Sequence, residues 1–130
     1  MEFYERTSRL IGEEAVEKLK RSTIAVFGAG GVGGFAIEAL ARAGVGHLAL
    51  FDHDTVSKSN INRQIIALNS TIGRSKVQVM KERIYDINPK CQVDANEVFF
   101  LPETADQFDF RQYDYIIDAI DTVTGKLALI

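Results

Sequence analysis

Three glycines, Gly28, Gly30 and Gly33, are spaced G-x-G-x-x-G inside TIAVFGAGGVGG, residues 23–34. In such a set the first glycine permits a tight turn, the second lets backbone approach a phosphate, and the third lets the next helix pack closely on the preceding strand. A phosphate held there meets unpaired N–H groups and the positive end of the helix dipole. Glycine turns of this spacing also serve purely structural ends, so the neighbouring residues decide the reading. Asp52 follows about 20 residues after the last glycines, where a dinucleotide fold places its ribose-binding carboxylate. A helix cap or a turn is the alternative use of such an aspartate.

Beyond Asp52, the polar stretch DHDTVSKSNINRQI has no apolar periodicity and is long for a connection, a property of functional loops. Its Asn60, Asn62, Arg63 and Gln64 offer amides and a guanidinium fork. Those groups suit ribose and phosphate oxygens, or alternatively a hydrogen-bonded turn. Lys76 falls in the first turn of the next helical pattern, where the dipole opposes a cation. A bound polyanion removes that conflict; a plain surface lysine is the other reading. Asp121 closes the strand pattern YDYIIDAI, which also contains Asp118. Charge separates two ligands. A dinucleotide pyrophosphate carries about two negative charges, which glycine amides and a helix N-terminus can handle. A triphosphate carries nearly twice as much, and calls for cationic side chains and a magnesium ion on carboxylate oxygen. Arg63, Lys76 and Asp121 supply that set, so ATP with Mg2+ is expected over NAD.

These residues need an α/β frame to position them. The short, uncharged run Ile24–Phe27 suits a strand buried on both faces of a parallel sheet. Val32, Phe35, Ala36, Ala39, Leu40 and Ala43 recur at helical spacing and predict the helix after the turn. His47–Phe51 predicts a second strand. Gly73–Asn88 predicts a helix with Val77, Met80, Ile84 and Ile87 on its buried stripe, stopping before Pro89. Gln92–Phe99 reads as a third strand, Leu101–Phe110 as a short helical stretch, Tyr113–Ile120 as a fourth strand, and Thr122–Ile130 as the start of another helix. Residues 2–20 predict an amphipathic helix broken at Gly12, with Leu10, Ile11, Ala15, Val16 and Leu19 on one side. Arg6 and Arg9 in that segment read, by themselves, as solvated charge.

The alternation predicts a doubly wound, Rossmann-like α/β domain with a mostly parallel sheet, helices on both faces and strand order 3-2-1-4. Residues 1–22 read as an N-terminal helical segment and 23–130 as a nucleotide-binding domain. The uncapped apolar residues Ala128, Leu129 and Ile130 lead to the expectation of a truncated domain that continues into a second half. With 18 acidic and 15 basic residues, a net charge of −3 provides no global basic field for nucleic acid, although local basic surface can serve one. Cys91 is the single cysteine, which excludes an intrachain disulfide and fits a reducing compartment. Nothing near it lowers its pKa, so it reads as structural. No stretch approaches the roughly 18 apolar residues of a membrane span, and no signal peptide is evident; the expectation is a soluble, cytoplasmic protein.

The series GAGGVG, FDHDTVSKSNINRQ, GRSKV and DAID, in order from about Arg6 onward, resembles the nucleotide-binding half of the ubiquitin-activating-enzyme-like adenylating family, which includes MoeB, ThiF and HesA proteins. The resemblance implies ATP bound with magnesium, in-line attack of a carboxylate oxygen on the α-phosphate, and pyrophosphate as leaving group. It implies phosphate contact by Gly31 and ribose contact by Asp52. Asn60, Arg63 and Lys76 would bind the triphosphate and stabilise developing charge, and Asp121 would coordinate magnesium. Arg9 matches an arginine that reaches into the partner subunit's site, so a homodimer is implied. NINRQIIAL, VMKERIYDINPKC and YDYIIDAIDTVTGK resemble the branch that adenylates a modified adenosine of tRNA, where cyclisation then expels AMP. The alternatives are adenylation of the C-terminal glycine of a ubiquitin-like sulfur carrier protein, or a non-catalytic nucleotide-binding module.

Overall fold

The computed structural model describes residues 2–98 and 109–120. Its elements are α1 (Glu5–Ile11), α2 (Glu13–Arg21), β1 (Thr23–Phe27), α3 (Gly31–Ala43), β2 (His47–Phe51), α4 (Lys76–Ile87), β3 (Gln92–Asn96) and β4 (Tyr115–Asp118). All pairings are parallel, in the order β3-β2-β1-β4 that the doubly wound rule predicts.

The apolar runs of β1 and β2 form strands because both of their faces are covered: Ile24 to Phe27 and Leu48 to Phe51 are all buried. Ile24, Val26, Leu48 and Leu50 meet Ile37 and Ala41 of α3 and Val77, Met80 and Ile84 of α4. Each such large side chain, fully buried, contributes roughly 1.5–3 kcal/mol. Ala25, Phe27, Ala49 and Phe51 point the other way, against Phe110, Tyr113, Ile116 and Ile120. The Phe27 and Phe51 rings stack at 4.5 Å with an 8° interplanar angle.

Register places the working edge. Phe27 pairs with both Phe51 and Asp118, and Phe51 pairs with Asn96, so the four strands end level. The ladder runs one bond further: Gly28 N donates to Phe51 O at 2.8 Å, Asp52 N to Asn96 O at 3.1 Å, and Ala119 N to Phe27 O at 2.8 Å. Gly28, Asp52 and Ala119 therefore leave the sheet side by side at its carboxyl edge, where open α/β sheets bind ligands.

Several boundaries and faces differ from the sequence expectation. Helix α3 buries Gly33, Gly34, Ile37 and Ala41, while Val32 and Phe35 are 76% and 56% exposed. A Cβ at Gly33 would lie 1.8 Å from the carbonyl oxygen of Gly28. The glycine face must therefore press on the turn, and the larger apolar residues are rotated outward. Gly12 does separate α1 from α2, at φ 90°. Leu10 and Ile11 are exposed rather than on a buried side, because α1 packs no residue into the core. Tyr4 holds this segment instead, buried with its hydroxyl donating to Gly44 O at 3.3 Å. Helix α4 begins at Lys76 and not at Gly73, since Gly73 has φ 87° and Ser75 is the N-cap. Its expected stripe is buried at Val77, Met80 and Ile84, with Ile87 packed against the core.

Strand β3 ends at Asn96, before Phe99, and β4 spans only Tyr115–Asp118. Ahead of β4 lies a 3-10 turn, Phe110–Gln112. Phe99, residues 101–108 of the expected helical stretch Leu101–Phe110, Asp121 and the expected helix Thr122–Ile130 lie outside the described residues. Among the described residues, no helix is long and apolar enough to cross a membrane. Cys91 is buried, and burial pushes its thiol up to about 11, which agrees with a structural role.

Candidate functional site

A cavity of about 420 Å³ opens at the carboxyl edge of the sheet, and its wall includes Gly28, Gly30, Gly31, Asp52, Arg63, Gln64 and Lys76. These residues come from four separate stretches of chain. The glycine turn delivers the first three. Gly28 sits at φ 99°, and a Cβ there would meet Ala119 O at 2.4 Å, so the turn requires glycine on both grounds. Gly30 is the N-cap of α3 and Gly31 its first residue, and a Cβ at Gly31 would meet nothing within 4 Å among the described residues. The first turn of a helix offers N–H groups without intrahelical partners, and here that turn borders open space. Gly33 does not line the cavity; it lies beneath it, allowing α3 to touch the turn.

Asp52 ties the end of β2 to that turn. Its Oδ2 accepts from Ala29 N at 2.7 Å and its Oδ1 from Asp54 N at 2.9 Å. A carboxylate has about four acceptor sites, so capacity for a further donor is left. The long loop is ordered by its own side chains. Asn60 is buried and its Oδ1 accepts from Ser57 N at 2.9 Å, closing a capping box over the 3-10 turn Lys58–Asn60. Asn62 Oδ1 and Ser59 O accept from Arg63 Nη1 at 2.9 and 3.0 Å. Asn60 and Asn62 do not line the cavity; they shape the loop and aim the guanidinium that does.

Gln64 is buried, and its Oε1 has no hydrogen-bond partner among the described residues. A buried polar atom left unpaired costs about 1–3 kcal/mol, so a ligand that brings a hydrogen-bond donor to Oε1 is favoured at this wall. Lys76 is 5% exposed. Its ammonium stands 3.7 Å from Asp54 Oδ2, and its backbone N donates to Asp54 O at 3.1 Å. That carboxylate offsets the unfavourable place of a cation at a helix start. Arg9 lies elsewhere on the chain, in α1, exposed and paired with Glu5 at 2.7 Å.

The structure also places residues at the cavity that the motifs did not single out: His53 and Asp54, and the apolar Phe27, Phe51, Val98 and Ile120. Asp118, noted from the sequence, lines it as well. The signal for Asp54 was present as D-x-D after a strand; the apolar residues carried no signal beyond their strands. Asp52, His53 and Asp54 offer ligand atoms within 4.8 Å of one another. The two carboxylates are hard oxygen donors of the kind that suits magnesium, whereas His53 offers a ring nitrogen. Chemically, the arrangement combines backbone amides, a guanidinium and an ammonium for anions, carboxylates for hydroxyls or a cation, and an aromatic wall for a planar ring.

Residues 4–129 match the ThiF family. The chain is 52% identical over 126 residues to tRNA threonylcarbamoyladenosine dehydratase of Bacillus subtilis, covering 97% of this chain and 50% of that one. The crystal structure of the E. coli tRNA N6-threonylcarbamoyladenosine dehydratase TcdA in complex with ATP superposes with a TM-score of 0.96 at 46% identity, over 99% of this chain and 53% of that one. Adenylyltransferase and sulfurtransferase MOCS3 of Drosophila sechellia is 35% identical over 118 residues, 91% of this chain and 26% of that one. The chain spans about half the length of the first three curated relatives, whose covered shares are 50%, 47% and 46%.

Proposed function

The chain belongs to the ThiF family, and from that premise we propose that it is the ATP-binding half of an adenylating enzyme that cyclises threonylcarbamoyladenosine in tRNA with loss of water. The observation that carries this reading is the convergence of Gly28, Gly30, Gly31, Asp52, Arg63, Gln64 and Lys76 on one cavity, in a chain that superposes on an ATP complex. The residues fit the nucleotide: among the described residues the Gln64 Oε1 has no partner and can accept from a ligand donor, the first turn of α3 is open, and Arg63 and Lys76 line the same cavity.

ATP would supply the adenylyl group that activates the threonyl carboxylate and pyrophosphate as the leaving group. Asp52 would accept from ribose hydroxyls with the lone pairs its backbone donors leave. The N–H groups at Gly31, together with Arg63 and Lys76, would hold the phosphates and stabilise the charge that grows as the phosphorus–oxygen bond breaks. Asn60 and Asn62 would act through the loop and Arg63. Magnesium would be held by carboxylate oxygens, with Asp121 assigned by resemblance and Asp118 close by in sequence. Residues 1–22 form the helical segment of this reading and 23–130 the nucleotide-binding domain. Arg9, on exposed α1, would complete the site of a second subunit in a homodimer. A cytoplasmic location follows from a tRNA substrate.

The test is pyrophosphate release by the full chain with ATP and magnesium, with and without tRNA carrying threonylcarbamoyladenosine. Release that requires the modified tRNA is expected. Release driven by a ubiquitin-like carrier instead would favour adenylation of a sulfur carrier protein, and tight ATP binding with neither would leave a nucleotide-binding module.

A further inference from the structure

Lys76 is a buried cation whose partner is held close but not tight. Its side chain is 7% exposed, that of Asp54 is 49% exposed, and the ammonium and carboxylate are 3.7 Å apart. Among the described residues Asp54 is the ion-pair partner of Lys76. The backbone of Asp54 is pinned at both ends, its N–H donating to Asp52 Oδ1 at 2.9 Å and its carbonyl accepting from Lys76 N at 3.1 Å. The side chain can thus swing while its root stays fixed. Both residues line the cavity. A buried charge needs a counter-charge, and a carboxylate in the wall of an anion site repels phosphate.

Resting on the reading that this cavity takes a nucleoside triphosphate, we propose that Asp54 is the resident counter-ion of Lys76: it compensates the buried ammonium before an anion arrives and competes with phosphate oxygens for it. The consequence is selectivity. Metal-free polyphosphate must displace Asp54 and suffers its repulsion, whereas a nucleotide that brings a divalent cation offers that carboxylate a positive charge. After the reaction, return of Asp54 to Lys76 helps expel pyrophosphate. His53 Nε2 lies 3.0 Å from Asp54 Oδ1, a second contact that the carboxylate can keep when it leaves Lys76.

Calorimetric titration of the full chain with inorganic pyrophosphate in EDTA tests this. Asp54→Asn removes the charge and keeps the shape, and is expected to bind pyrophosphate about tenfold more tightly than wild type, a modest figure because the carboxylate is half exposed. Asp54→Glu keeps the charge and is expected to bind like wild type. In a Lys76→Gln background the gain from Asp54→Asn is expected to shrink to about a third or less, since the competition acts through the ammonium. Should Asp54→Asn not fold by circular dichroism, Asp54→Ser carries the same expectation. Unchanged or weaker pyrophosphate binding by a folded, charge-neutral variant overturns the proposal, as does an equal gain without Lys76. A parallel titration with ATP and magnesium separates the two readings. No binding of magnesium ATP by wild type overturns the nucleotide site itself; wild-type binding of magnesium ATP together with no Asp54→Asn gain for metal-free pyrophosphate overturns the counter-ion alone.

Discussion

Arg63 and Lys76 differ in how they are held, and that difference bears on what each can do. Arg63 is exposed and aimed by two acceptors, Ser59 O and Asn62 Oδ1, whereas Lys76 is buried beside a half-exposed carboxylate. Hydrogen bonds to a charged partner are worth about 1.5–3 kcal/mol, or more than tenfold in affinity. Lys76→Ala and Arg63→Ala are therefore expected to weaken ATP at least about tenfold, and AMP by no more than a few-fold, in titrations of the full chain. Equal losses for both nucleotides would remove the triphosphate assignment. These two residues were recognisable from side-chain type and motif position. The role of Asp54 was not, because pairing with Lys76 depends on a bridge between Thr55 and Ser75 that brings two loop ends together.

At the scale of elements, the turn between β1 and α3 tolerates change very unevenly. Gly28→Ala forces a side chain into φ 99° and against Ala119 O, whereas Gly31→Ala adds a methyl group where none of the described residues lies within 4 Å. The first is expected to cost about 2 kcal/mol or more, read as a clear fall in Tm, and the second to leave Tm unchanged or raise it slightly, by no more than about 1 kcal/mol of added stability. Helices α3 and α4 are tied by Glu38, which accepts from Arg83 and, at 3.4 Å, from Arg42. The Arg83 hydrogen bond holds the Glu38 carboxyl below its ordinary value of 4.5. A lowered folded-state pKa adds stability that is complete above about pH 4.5 and is lost as pH falls through the lowered value. Glu38→Gln is expected to cost about 0.5 kcal/mol at pH 7, after allowance for solvent screening. Its Tm deficit against wild type should close as melting is repeated below about pH 4; a constant deficit would place the effect in packing rather than charge.

For the whole molecule, α1 presents Arg9, Leu10 and Ile11 outward, at the far side of Gly12 from the sheet-bound α2. In the homodimer we propose, Arg9→Ala and Asp52→Ala damage different halves of a composite site. Mixing the two inactive full chains is expected to restore roughly a quarter of wild-type activity, the share of intact sites when subunits pair at random. Demonstrated heterodimers without rescue would count against the shared site. The strand order, the buried character of β1 and β2 and the stripe of α4 were all legible in the sequence, because periodicity and short apolar runs are local properties that burial on one or two faces imposes. The glycine turn, Asp52, Arg63, Gln64 and Lys76 could be picked out as candidates from side-chain type and spacing, and Gly28, Gly30, Gly31 and those four line the cavity. What only the tertiary structure decided was which of them share a cavity. Level strand ends set Gly28, Asp52 and Ala119 side by side. The contact of Gly33 with Gly28 turned α3 so that Val32 and Phe35 face outward. Those outcomes follow from contacts between residues far apart in the chain, and no local pattern encodes the phase of a helix against a turn it has yet to meet.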